Sequence, residues 1–192
     1  MNTLNKENNF LLNLCFVKGM RLNMQNNLLI NNHFSEVLKR KISKESRKKA
    51  FLCIGTSKVP GDSLGPIVGS YLKENTNLEV FGTLRENICE KNKIEELKFK
   101  LSEKCIVVID SAISDYNNLG KIFVSSNQAK IGAGLKYNKG NVGTISIKGV
   151  VAEDKTTSFE NFCNLNMINL NFIKDMAKII SIGIKEIMIE NK

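Results

Sequence analysis

Ala50-Phe-Leu-Cys-Ile-Gly-Thr-Ser-Lys-Val-Pro-Gly-Asp-Ser-Leu-Gly-Pro66 is the stretch on which the fold turns. Residues 50–54 form an unbroken apolar run that stops at Gly55, the pattern of a short strand buried on both faces. A loop follows from Thr56 to Gly65. Pro66 suits the first turn of a helix, where its missing N–H is not needed. That helix is expected to run through Ile67, Val68, Tyr71 and Leu72 to Asn75.

The same alternation continues outward. Leu78 to Thr83 reads as a second strand, and Asn92 to Leu101 as a helix with Asn92 at its N-cap. Cys105-Ile-Val-Val-Ile109 is the clearest strand in the chain and ends on Asp110. Lys121 to Ser125 reads as another strand. Residues 132–143, with Gly132, Gly134, Gly140 and Gly143, read as a loop. Thr144-Ile-Ser-Ile-Lys148 alternates polar and apolar, which predicts a strand with one wetter face. Residues 160–190 read as helical. Strands alternating with helices predict an α/β sandwich.

The 192 residues, 42% apolar and 24% charged, suit one globular domain with an extension. No apolar run approaches the roughly 20 residues of a membrane span, so no membrane partner is expected. The net charge of +9 is unevenly spread: residues 1–50 carry +7 of it. The expected division is therefore a basic, Asn-rich and poorly ordered extension over 1–45 and an α/β domain over 46–192. Phe34, Leu38 and Ile42 recur every fourth residue and allow one short amphipathic helix before the domain. The basic block Lys39 to Lys49 offers, on one reading, contacts to nucleic acid or an anionic membrane; it has no interleaved aromatic residues to make a stacking platform, and the favoured reading is a solvated face. The cysteines, Cys15, Cys53, Cys89, Cys105 and Cys163, are odd in number and form no CxxC, against a zinc ribbon or a disulfide framework. A reducing cytoplasm is the expected compartment.

The only histidine, His33, lies ahead of the domain, which excludes a Ser-His-Asp or Cys-His triad within it. There is no phosphate loop, and no G-x-G-x-x-G follows the first strand. What remains is a pair of aspartates: Asp62 in the loop after the first strand, and Asp110 at the carboxyl end of the strongest one. In open α/β sheets, ligands gather outside the carboxyl ends of strands. If these strands are neighbours, both carboxylates reach one crevice. One can then stay charged and activate water while the other stays protonated and polarises a carbonyl. The pair can equally hold a divalent metal. On a plainer reading, Asp62 satisfies backbone N–H groups in a turn and Asp110 caps a loop.

The stretch Cys53 to Pro66 resembles the opening motif of the YyaC-type sporulation proteins. Phe81-Gly-Thr-Leu84, Val107-Val-Ile-Asp-Ser111, Ile131-Gly-Ala-Gly-Leu-Lys136 and Asn141-Val-Gly-Thr-Ile-Ser-Ile-Lys-Gly149 follow in order. Together they cover roughly residues 50–150. The family looks related to the spore germination protease and, more distantly, to the proteases that mature hydrogenases, with their HybD-like fold. The resemblance implies a phosphorylase/hydrolase-like, three-layer α/β/α sandwich with a twisted central sheet. It implies an aspartic-type endopeptidase acting in sporulation or germination, with Asp62 and Asp110 as the catalytic pair. The implied substrate is a protein or peptide, the small acid-soluble spore proteins among them, in the forespore or spore compartment.

The hydrogenase-type relatives hold a metal through two acidic residues at these places plus a histidine. The domain here has no histidine, so neither a metal nor a cofactor is expected. Where the family carries a segment like Glu-Pro-Val-His-Ala, this chain reads Glu86-Asn-Ile-Cys-Glu90. Glu86 keeps its place and is expected as a wall of the substrate site, with Gly132 and Gly134 letting backbone approach a peptide closely. Cys89 replaces the histidine and, lacking a base partner, reads as structural. The alternative is a catalytically inactive module that binds a peptide or a spore protein in the same crevice. Nothing in the sequence sets an oligomeric state.

Overall fold

A computed structural model of the chain describes residues 10–12, 24–135, 137 and 140–190. In chain order the elements are β1 (Phe10–Leu12), α1 (Met24–Ile42), β2 (Lys49–Cys53), α2 (Leu64–Asn75), β3 (Glu79–Phe81), α3 (Lys91–Lys100), β4 (Cys105–Ser114), β5 (Ile122–Ser125), β6 (Ala129–Lys130), β7 (Asn141–Val142), β8 (Ile145–Glu153), α4 (Ser158–Asn166) and α5 (Leu170–Glu190). The Asn-rich stretches 1–9 and 13–23, and the poor order expected of them, lie outside the described residues.

Six strands form one sheet in the order β1-β5-β8-β4-β2-β3. β3, β2, β4 and β8 run parallel, β5 returns antiparallel to β8, and β1 pairs antiparallel with β5. Because successive side chains alternate across a strand, each central strand feeds two cores. Phe51, Cys53, Val107, Ile109, Ile145 and Ile147 face α1, α2 and α5, where they meet Phe34, Leu38, Val68, Leu72, Met176 and Ile180. Ala50, Leu52, Ile106 and Val108 face the other way, toward Ile94 and Leu97 of α3 and toward Ala129, Ile131 and Val142 around the β6–β7 hairpin. Cover on both faces is why these strands read as continuous apolar runs. The architecture is the expected three-layer α/β/α sandwich.

Several elements differ from the expectation. α1 extends the short helix foreseen ahead of the domain, and its Phe34, Val37, Leu38 and Ile42 are buried in the first core. Packed structure therefore lies on the N-terminal side of the expected 45/46 division. Glu90, not Asn92, holds the N-cap position of α3, and no side chain caps it. β4 and β8 each run five residues past the expected ends, to Ser114 and Glu153, with a register shift between Ala112 and Ile113. The helical region 160–190 is broken in two. Thr157 and Glu160 form a capping box that starts α4, and the Asn169 side chain accepts from the Asn171 N–H at 2.9 Å to start α5.

Candidate functional site

β2 leads through α2 to β3 on one side, and the chain then crosses by α3, on the opposite face, to reach β4 on the other side. The carboxyl ends of β2 and β4 thus flank the point where the strand order reverses, the usual place for a crevice in an open α/β sheet. The two strands are direct neighbours, with Cys53 opposite Ile109.

The loop after β2 is fastened onto the strand ends. Gly55 has a φ of 136°, which disfavours any side chain, and a Cβ there would collide with the Asp62 carbonyl oxygen. Gly65 lies so close to Ile54 that a Cβ would strike the Ile54 carbonyl oxygen. The Thr56 N–H donates to both the Asp62 carbonyl and Asp62 Oδ2, each at 3.0 Å. On the other side, Ser111 Oγ donates to Asp62 Oδ1 at 3.2 Å. Asp62 is half-buried and approaches from the loop. Asp110, 7% exposed, projects from β4 on the face it shares with Val108.

Both aspartates line one cleft of about 120 Å³, together with Ser111, Cys89, Lys148 and the Gly132–Gly134 segment. The structure thus brings Asp62, Asp110, Gly132 and Gly134 together. The Gly134 carbonyl accepts from Asn161 Nδ2 at 2.9 Å, and fully buried Asn161 also bonds Asp154 and the Lys155 N–H, tying the glycine segment to α4. Glu86 is not brought in. It is exposed on the turn after β3, where its N–H donates to Thr83 Oγ1 at 3.0 Å, and it does not line the cleft. Cys89, three residues on, does, because the bridge between Gly55 and Ile88 draws that segment to the end of β2.

Ser111 and Lys148 also line the cleft, and the sequence does not single them out. Asp110 and Lys148 are register partners on adjacent parallel strands, so they share a face of the sheet. Lys148 Nζ donates to the Lys130 carbonyl at 3.1 Å at the rim of the same cleft. The signal was the alternation of Thr144, Ser146 and Lys148. That side is not the wetter face expected of it: Ser146 is buried and Lys148 half-buried. The core around the β6–β7 hairpin lies on this face, and Lys148 is the one of the three that lines the cleft.

Two carboxylates with a hydroxyl and an ammonium beside them can exchange protons with a bound molecule and polarise a carbonyl. A metal held by more than the aspartate pair would draw on further His, Cys, Asp or Glu side chains. Among the described residues no group of three or more His, Cys, Asp or Glu side chains is placed to hold one.

The basic block sits at the opposite end of the sheet, around the end of α1 and the start of β2. Lys39, Arg40 and Lys41 complement the negative end of the helix dipole. Arg47 pairs with Glu45 at 2.8 Å, Lys49 Nζ donates to the Glu45 carbonyl, and Lys41 Nζ donates to Ser126 Oγ. Among the described residues, no helix is long and apolar enough to cross a membrane.

Comparison with known proteins gives two matches. A family model described as "Protein of unknown function (DUF1256)" matches residues 21–183. An uncharacterized protein YyaC of Bacillus subtilis (strain 168) is 29% identical over 138 residues, which is 69% of this chain and 66% of that protein. The chain thus spans just under two thirds of the relative's length, and it is similar to the YyaC-type proteins that its motifs resemble.

Proposed function

The chain belongs to the DUF1256 family, and from that starting point we propose that it is an endopeptidase of sporulation or germination that hydrolyses peptide bonds with Asp62 and Asp110. The observation that carries this reading is the meeting of the two carboxylates in one cleft at the switch point of the sheet. They come from segments 48 residues apart in sequence. One carboxylate takes a proton from the attacking water. The other, protonated, donates to the scissile carbonyl oxygen, and the proton later passes to the leaving amine. This chemistry requires no imidazole, in keeping with a chain whose only histidine, His33, does not line the cleft. The motif resemblance to the YyaC-type proteins, a family that looks related to the spore germination protease, points the same way. On that reading the substrate is a protein or peptide such as a small acid-soluble spore protein, met in the cytoplasm of the forespore.

A cleft of about 120 Å³ holds a side chain and not a length of peptide, so the substrate lies across it. The exposed position of Glu86 and the cysteine at 89 favour a second reading, in which the same cleft binds a peptide without cutting it. Incubation of the full chain with small acid-soluble spore proteins and with a loosely folded control protein, read by mass spectrometry, separates the two. New peptides from wild type and none from Asp62→Asn or Asp110→Asn support the peptidase. Saturable binding with intact substrate supports the binder.

A further inference from the structure

We infer that Asn161 is a positioning residue for the substrate: from α4 it holds the main chain at Gly134 as a wall against which a peptide lies, and with Leu165 it sets the width of the cleft. The inference rests on the reading that a peptide crosses this cleft and adds to it the residue that shapes the binding wall.

Asn161 is fully buried, and both polar atoms of its side chain are bonded. Its Oδ1 accepts from the Lys155 N–H at 2.7 Å, and its Nδ2 donates to the Gly134 carbonyl at 2.9 Å and to Asp154 Oδ1 at 2.8 Å. The partners fix which way the amide points, because a backbone N–H can only donate and a backbone carbonyl can only accept. A buried polar group satisfied in this way makes its surroundings rigid. Leu165 stands four residues on, over the same helix face, and lines the cleft. It packs so tightly under the loop of Asp62 that a Cβ on Gly61 would strike its Cδ2 and its carbonyl oxygen. One face of α4 thus touches both the glycine segment, through Asn161, and the aspartate loop, through Leu165. The helix is itself fixed at its start by the Thr157–Glu160 capping box, and Asn164 Nδ2 donates to the Glu153 carbonyl at the end of β8 at 2.9 Å.

The wall that Asn161 holds is main chain. Gly132 and Gly134 carry no side chain, so a bound peptide meets backbone there. The residues Ala133–Leu135 form a single tight turn outside both sheets, with no strand ladder to hold it. The Gly132 carbonyl accepts from the Tyr137 N–H, a bond local to the loop, whereas the Asn161 amide reaches in from another element. Small misplacements of groups that orient a substrate carry large penalties.

The test reads the cleft through Cys89, which lines it, by iodoacetamide alkylation of the full chain and mass spectrometry of each cysteine peptide. Asn161→Asp replaces the donor to Gly134 with an acceptor, and Asn161→Ser is too short to reach it. Both are expected to raise the Cys89 rate about fivefold or more, the worth of one hydrogen bond, while buried Cys53 and Cys105 stay as slow as in wild type. With the spore proteins, KM is expected to rise about tenfold or more while kcat stays within about threefold, the signature of lost binding common to ground and transition states. Asp154→Ala removes a partner of the same amide but not the bond to Gly134, and is expected to stay within about twofold throughout. An unmoved Cys89 rate or an unmoved KM in both Asn161 variants overturns the inference. So does a fall in kcat at constant KM, a joint rise of Cys53, Cys105 and Cys89 in both, which makes Asn161 merely structural, or an Asp154→Ala effect as large as theirs. If the wild type releases no peptide, the peptidase reading alone fails, and the Kd for the intact spore protein takes the place of KM with the same expected rise. A wild type that neither cleaves nor binds it overturns both.

Discussion

Ser111 Oγ donates to Asp62 Oδ1 at 3.2 Å, so the residue after one cleft aspartate holds the other. The bond joins β4 to the loop after β2 and fixes the Asp62 carboxylate relative to Asp110. Hydrogen bonds to charged groups contribute about 1.5–3 kcal/mol. Ser111→Ala is expected to lower kcat for peptide release at least about tenfold with little change in KM, and steady-state kinetics on one peptide check it. An unchanged kcat would mean that the Ser111 bond does not set the orientation of Asp62.

Gly55 is the second anchor of that loop. At a φ of 136°, with the Asp62 carbonyl in the space a Cβ needs, Gly55→Ala is expected to cost about 2–4 kcal/mol of stability. Urea unfolding measures this directly. The control is Ala133→Gly, an exposed position in the glycine segment, which is expected to fall within about 0.5 kcal/mol of wild type.

Burial pushes the Cys53 thiol well above its ordinary range, and Cys105 is raised too, again chiefly by burial. The folded state therefore keeps these groups neutral where the unfolded chain ionises them, near about pH 8.5. Their contribution to stability is complete below that pH and is lost as the pH rises above it, by about 1.4 kcal/mol per pH unit for Cys53. The urea midpoint is expected to fall between about pH 8 and about pH 10, less steeply in Cys53→Ala. Equal slopes in the two proteins would contradict the assignment.

Ser181 is buried in α5, and among the described residues its hydroxyl has no hydrogen-bond partner. Alanine removes that orphaned group and favours the helix, so Ser181→Ala is expected to stabilise by about 1 kcal/mol and raise Tm by about 2–4 °C. Thermal unfolding followed by circular dichroism tests it.

The residues that announced the fold are those whose pattern has one physical solution. The runs 50–54 and 105–109 are apolar on both faces, which only a strand inside a covered sheet satisfies, and both are central strands. Asp62 and Asp110 could be paired from sequence because each follows such a run. Lys148 could not, since an alternating strand looks the same whether its polar side meets water or a cleft, and only the packing around β6 and β7 decides. Glu86 was misplaced for a similar reason: Ile88 pairs with Gly55, and the bend this imposes carries Cys89 inward and leaves Glu86 on the exposed turn. The break before α5 was readable at Asn169, an N-cap residue ahead of an apolar-periodic run, but the apolar residues Met167, Ile168 and Leu170 around it masked the signal.

The central claim is that Asp62 and Asp110 act as one unit on a peptide bond. The most direct measurement is the rate of peptide release by Asp62→Asn, Asp110→Asn and the double variant, with and without chelator. Groups that act together lose nearly everything at the first removal. The account predicts that each single variant falls at least about a thousandfold, that the double variant is no worse, and that chelator changes nothing. Wild-type rates in either single variant, losses that multiply in the double variant, or activity abolished by chelator would contradict it.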